Sequence, residues 1–172
     1  FSNMNGWSMY HGTIVPGFPR HPHRGFETIT IVEKGLIDHS DSMGFSARYG
    51  DGDVQWLTAG DGIQHSEMFP LLNQNEKNPI DFFQIWINLN AKNKRVSPNF
   101  KMFWKNELPK FIETDKYNLK TQVEIIAGSY KNQKAPTPPK NSWANNTENS
   151  VNIWKIKLDK KANFILPKVD KD

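Results

Sequence analysis

Over the first ninety residues glycine and proline recur too closely for a long helix, and the runs between them are short and rich in β-branched and aromatic residues. Residues 26–32 (Phe-Glu-Thr-Ile-Thr-Ile-Val), 53–57 (Asp-Val-Gln-Trp-Leu) and 82–89 (Phe-Phe-Gln-Ile-Trp-Ile-Asn-Leu) read as strands. Asp51-Gly52 and Gly60-Asp61-Gly62 read as turns between them. Short strands at this spacing point to an all-β sandwich or barrel. One segment has helical spacing. Phe100, Phe103, Trp104, Glu107 and Leu108 recur at i, i+3, i+4 over residues 99–108, with Pro109 as the stop. Further strands are expected over 122–128, over 151–158 with Trp154, Ile156 and Leu158 on one face, and over 164–166, with a proline-rich extended linker at 135–139. The expected division is a first β domain over residues 1–119 and the opening of a second over 120–172.

Composition narrows the function classes. The chain has 172 residues, 37% hydrophobic and 12% aromatic, which is enough to bury a core. Cysteine is absent, which excludes disulfides, thiolate metal sites and cysteine nucleophiles. No run of eighteen apolar residues is present, so no transmembrane helix is expected. Residues 1–70 carry four Lys/Arg against eight Asp/Glu, so the formal net charge of +4 comes from lysines scattered through the second half. That is not the dense basic stripe with interleaved aromatics of a nucleic-acid module. Neither nucleic acid nor membrane is expected as a partner. The chain begins at Phe1 without an initiator methionine, so it is expected to be processed or to start inside a longer protein.

Five histidines are present: His11, His21, His23, His39 and His65. Three lie in two compact motifs, His21-Pro22-His23-Arg24-Gly25-Phe26-Glu27 and Gly60-Asp61-Gly62-Ile63-Gln64-His65-Ser66-Glu67. In a strand, residues i and i+2 face the same way. His21 and His23 therefore share a face, and so do His65 and Glu67. On adjoining strands the two pairs would set three imidazoles and one carboxylate around one point. That donor set suits a borderline divalent ion. A lone His-x-His is more often a surface turn; two matched pairs beside glycine turns favour a metal site. Glu27 is a rival for the fourth place. It lies four residues beyond His23, about 13 Å along a regular strand, so only a bulge or turn at Gly25 would bring it back. Glu67 needs no such help and is the expected ligand, leaving Glu27 an outer or structural role.

The other candidates have plainer readings. His39 lies in Asp38-His39-Ser40-Asp41-Ser42 and is expected in a solvated polar turn. His11 has no partner nearby in sequence. Arg24 could be a surface salt-bridge residue or could hold a carboxylate behind the site. Gln55, Trp56 and Phe26 could line a pocket, although aromatic residues in strands more often belong to the core. No Walker loop, dinucleotide fingerprint or nucleophile elbow is present. A Ser-His-Asp site would have to use the candidate ligand histidines.

Two stretches carry a family resemblance. The first runs Pro16-Gly17-Phe18-Pro19-Arg20-His21-Pro22-His23-Arg24-Gly25-Phe26-Glu27-Thr28. The second runs Gly52-Asp53-Val54-Gln55-Trp56-Leu57-Thr58-Ala59-Gly60 and then Gly62-Ile63-Gln64-His65-Ser66-Glu67-Met68. Both resemble the signatures of the pirins, a branch of the cupin superfamily. Residues 83–89 resemble the strand that follows, and the similarity runs from about Gly12 to Gly128. The resemblance implies two jelly-roll-type cupin β-barrels packed face to face, with metal only in the first. The ligands it implies match His21, His23, His65 and Glu67. The chain departs from the family pattern by lacking the strands that precede the Phe1 region and by ending soon after Lys168. A complete amino-terminal barrel plus the opening strands of a second is therefore expected, with open edges that would recruit further chain or a second copy as a homodimer.

Pirins divide in function. Some behave as dioxygenases that open quercetin; others are iron-dependent coregulators that bind protein partners. The resemblance thus implies a metal-dependent dioxygenase acting on a flavonol or similar aromatic enol with dioxygen, with Glu67 as general base. The alternative is an iron- or redox-sensing module that binds a protein partner without turnover, and a third reading is an inactive cupin remnant. Fe(II) is the first expectation for the single divalent ion; Mn, Co, Ni, Cu or Zn would accept the same donors. The expected location is the cytoplasm, or the nucleus in a eukaryote.

Overall fold

The computed structural model describes residues 10–168. The chain start at Phe1 and the charged end beyond Lys168 lie outside the described residues. The first eight strands are β1 (Gly17–His23), β2 (Phe26–Lys34), β3 (Leu36–Asp41), β4 (Ser46–Gly50), β5 (Val54–Thr58), β6 (Ile63–Met68), β7 (Asp81–Asn88) and β8 (Asn99–Phe103). They form two four-stranded antiparallel sheets, in the orders β1-β6-β3-β4 and β7-β2-β5-β8. This is the all-β cupin architecture.

The two sheets enclose one core. Val32, Ile37, Tyr49 and Phe69 pack with Ile80, Phe82 and Met102. Leu57, Ala59 and Ile63 pack with Met43 and Phe100. The inner strands β2 and β5 of the second sheet are buried on both faces, which is why residues 26–32 read as a nearly continuous apolar run rather than a clean alternation. Its outer face carries Ile29, Ile31, Val54, Trp56 and Phe103, which pack against Leu108, Ile126, Ala127, Val151 and Ile153.

Those covering residues belong to the remainder of the chain. Strands β9 (Lys110–Thr114) and β10 (Lys120–Ala127) are followed by the short β11 (Ser129–Tyr130) and β12 (Gln133–Lys134), and then by β13 (Ile153–Leu158). A third sheet has the order β13-β10-β9. Its core is Val123, Ile125 and Tyr130 packed with Phe111, Trp154 and Ile156.

Two expectations about elements are corrected. Residues 99–108 are not a helix. Asn99–Phe103 is strand β8, paired with β5 so that Val54 faces Phe103, and a turn follows. Phe100 and Met102 point into the barrel while Phe103 enters the core on the other face. Inward Phe100 and Met102 and the buried Phe103 on the opposite face thus supplied apolar spacing that also fits a helix. Residues 164–166 form no strand. Phe164 packs against the third sheet's core, whereas Ile165 and Leu166 are exposed.

Candidate metal centre

The centre is built on the β1–β6 ladder. His21 stands opposite His65 and Phe18 opposite Glu67, with a bulge in β1 between Phe18 and His21. Three residues of β1 there span two of β6, which turns the strand and re-aims its side chains. Pro19 and Pro22 are tolerated because β1 is the edge of its sheet. Gly17 lies tight against β6, and a Cβ there would run into the Glu67 carbonyl oxygen.

His21, His23 and His65 each offer one ring nitrogen to a group whose members all lie within 4.8 Å of one another. His21 Nε2 lies 3.2 Å from His23 Nε2. Two nitrogens held about 2.1 Å from one ion at a right angle would lie about 3 Å apart, so this spacing fits adjacent ligands. The His21 and His65 ring centroids are 4.4 Å apart and those of His23 and His65 4.7 Å. The ring tautomers also suit ligation. His21 Nδ1 donates to the Pro19 carbonyl oxygen at 2.7 Å, which leaves Nε2 as a lone pair. His65 Nε2 is buried and has no hydrogen-bond partner among the described residues. An unpartnered buried imidazole nitrogen beside two others is what a nitrogen-binding cation would satisfy.

Burial lowers the basicity of the rings. His23 is held down to about 4, first by burial and then by His21. His65 is held down to about 3, first by burial, then by the neighbouring His23, His21 and His39, with Asp41 opposing. Both rings are therefore neutral lone-pair donors near neutral pH. Glu67 is buried two residues beyond His65 on β6. Its carboxylate is not among the atoms that meet the 4.8 Å spacing. Burial pushes its carboxyl above the usual carboxylate range, against the pull of His21 and of a hydrogen bond from Gln84.

The remaining candidates separate by face. Glu27 is fully buried on the far side of the second sheet. It accepts hydrogen bonds from Trp56 Nε1 at 2.5 Å, Thr58 Oγ1 at 3.0 Å and the Trp143 amide at 2.8 Å, and so ties residue 143 to the barrel. Trp56 belongs to that same outer core and does not reach the centre. Gln55 points inward, within 3.5 Å of the Tyr49 hydroxyl. Phe26 borders His23, with centroids 4.9 Å apart. Arg24 is an exposed residue paired with Asp61, which Arg95 also holds. His11 is exposed.

His39 is a correction. It is not in a solvated turn but in β3, about 1% exposed, with its residue position opposite Glu67. The turn begins two residues later, where Asp41 Oδ1 accepts from the Met43 and Phe45 amides. The polar stretch 38–42 has turn composition, yet pairing on both sides draws it into the sheet. Sequence reasoning also passed over Trp86. It stands 5.9 Å from His23 and 4.9 Å from Phe26, centroid to centroid, and is 63% exposed. A tryptophan two residues from Gln84 on a strand read as core gave no sign of this position.

A family model described as Pirin matches residues 1–87. Pirin-like protein 2 of Arabidopsis thaliana is 40% identical over 120 residues, covering 70% of this chain and 34% of that protein. Pirin of Homo sapiens is 41% identical over 102 residues, covering 59% of this chain and 33% of that protein. The crystal structure of a quercetin 2,3-dioxygenase from Acinetobacter baumannii superposes with a TM-score of 0.63 at 33% identity, covering 72% of this chain and 42% of that one. The chain spans less than half the length of these curated relatives.

Proposed function

The chain belongs to the pirin family of the cupin superfamily, and on that premise we propose that it binds one divalent transition ion through His21, His23, His65 and Glu67 and uses it to open a flavonol such as quercetin with dioxygen. The observation that carries the reading is the meeting of three imidazoles, one of them with a buried unpartnered nitrogen, at the bulged β1–β6 ladder. Likeness to a structure described as a quercetin 2,3-dioxygenase supports the substrate class. Fe(II) is the first candidate for the ion, whose three nitrogen donors and one carboxylate leave room for further ligands.

When bound, the ion supplies a Lewis acid that lowers the pKa of a coordinated enol hydroxyl. The protein's residues do the rest. The neutral His21, His23 and His65 hold the ion in place without adding charge. Glu67, buried two residues beyond His65 on β6, takes the hydroxyl proton as general base. Phe26 and Trp86 offer aromatic surface beside His23 on which the flat rings of a flavonol can stack. The electron pairs that reduce dioxygen come from the enolate itself, so no nicotinamide or other reductant is required.

Oxygen uptake by metal-loaded protein with quercetin as the only organic substrate tests the reading. Steady uptake proportional to metal content is expected. Stoichiometric metal without uptake would overturn the dioxygenase assignment and favour the metal-sensing, partner-binding alternative.

A further inference from the structure

Behind His65 lies a chain of buried groups that the proposed reaction does not use. His39 Nδ1 is 3.3 Å from His65 Nδ1, and His39 Nε2 is 3.0 Å from Asp41 Oδ2. The side chains of both His39 and Asp41 are fully buried. We propose that Asp41 and His39 are positioning residues that fix His65 in the tautomer with its proton on Nδ1, so that Nε2 presents a lone pair to a metal ion. The inference rests on the metal-site reading above.

The direction of each hydrogen bond follows from what the groups can do. A carboxylate only accepts, so His39 Nε2 must donate to Asp41. A neutral His39 then has a bare Nδ1, which can only accept. The facing His65 Nδ1 must therefore donate, and its single proton is spent there. His65 Nε2 is left bare, in agreement with its lack of any partner among the described residues. Asp41 is itself pinned, because its other oxygen accepts from the Met43 amide at 2.8 Å and the Phe45 amide at 3.2 Å. The turn after β3 thus orients the carboxylate, the carboxylate sets His39, and His39 sets His65. His21 achieves the same end with the Pro19 carbonyl. Groups of this kind behind metal-binding imidazoles fix ring orientation and proton position, and their loss costs roughly 10- to 100-fold in affinity or activity.

Asp41→Asn is the most telling variant. The amide oxygen can keep the Met43 and Phe45 hydrogen bonds, so the NH₂ group takes the place of Oδ2 and faces His39. His39 Nε2 must then accept, its proton moves to Nδ1, and His65 Nδ1 must accept in turn. The relay is inverted with almost no change of shape, as when an amide replaces the carboxylate behind a catalytic histidine. Two readouts are taken. Long-range ¹H–¹⁵N correlation spectra of the metal-free chain report the His65 tautomer, and Co(II) titration against a chromophoric chelator reports affinity. Wild type is expected to show the Nδ1–H form. Asp41→Asn is expected to shift His65 toward Nε2–H and to bind Co(II) roughly 10- to 100-fold more weakly. His39→Phe, which removes the acceptor, provides a second test should Asp41→Asn fail to fold, with the same two outcomes expected. A His65 ring that keeps its proton on Nδ1 in the folded variant overturns the relay. So does Co(II) affinity within twofold of wild type. Because the tautomer is read without metal, a wild-type chain that binds no Co(II) would sink the metal-site reading while leaving the relay to be decided by the spectra.

Discussion

His21 and His65 stand directly opposite each other across the β1–β6 ladder, with their ring centroids 4.4 Å apart. Neither residue is near the other in sequence, and each owes its place to a local feature: the bulge after Phe18 for His21 and the Gly60-Asp61-Gly62 turn before β6 for His65. The account predicts that disturbing the ladder disturbs the centre even when no ligand is changed. Gly17→Ala tests this. Its Cβ would meet the Glu67 carbonyl oxygen, so β1 must move off β6. A loss of roughly 1–3 kcal/mol in stability is expected, together with weaker Co(II) binding in the folded fraction. Unchanged urea midpoint and unchanged binding would show that the close crossing does not matter.

Glu67 and Glu27 should separate cleanly. Glu67→Gln removes the proposed base and should lower quercetin-dependent oxygen uptake roughly 10²-fold or more. Glu27→Gln touches no part of the centre, but its amide cannot accept from all three donors that Glu27 serves. It should cost about 1–3 kcal/mol in stability and leave uptake per bound metal close to wild type. If Glu27→Gln were the more damaging change to turnover per metal, the choice of Glu67 would be wrong.

Acid should weaken the metal-free fold. His23 and His65 are held down to about 4 and about 3 in the native state, whereas unfolded histidine titrates near 6.5. Below about pH 6.5 the unfolded chain therefore binds more protons, and stability from these two groups is lost as pH falls toward 4. Glu67, with its raised value, works in the opposite sense but is one group against two. The urea midpoint of metal-free protein is expected to drop between about pH 7 and about pH 5. A midpoint that rises over the same interval would contradict the burial of neutral rings.

Trp86 should affect substrate more than chemistry. Its ring centroid lies 5.9 Å from that of His23 and 4.9 Å from that of Phe26, and the residue is not one of the three that form the nitrogen group. Trp86→Ala is expected to raise KM for quercetin roughly 2- to 10-fold, the scale of one stacking contact, with kcat little changed. A fall in kcat at constant KM would assign the residue a different role.

Much of this was legible in the sequence because two local periodicities coincide with chemistry. Parity along β1 and β6 put His21 beside His23 and His65 beside Glu67 before any fold was considered, and distance along β2 argued against Glu27 as a ligand. What failed did so for physical reasons. The spacing over 99–108 fits a helix, but Phe103 faces one core while Phe100 and Met102 face another, a distinction that only the β5–β8 pairing creates. His39 and Asp41 read as turn residues because every neighbour is polar. Their alternation with Ile37 on β3 was the available signal, and its meaning depends on pairing with β6, nearly thirty residues away.

Metal content per chain decides whether the three histidines and Glu67 hold an ion. Protein purified from metal-supplemented cultures should carry one divalent ion per chain by elemental analysis, and His65→Ala should carry none at stoichiometric level while retaining its fold. Full retention of metal by both His21→Ala and His65→Ala would contradict the site.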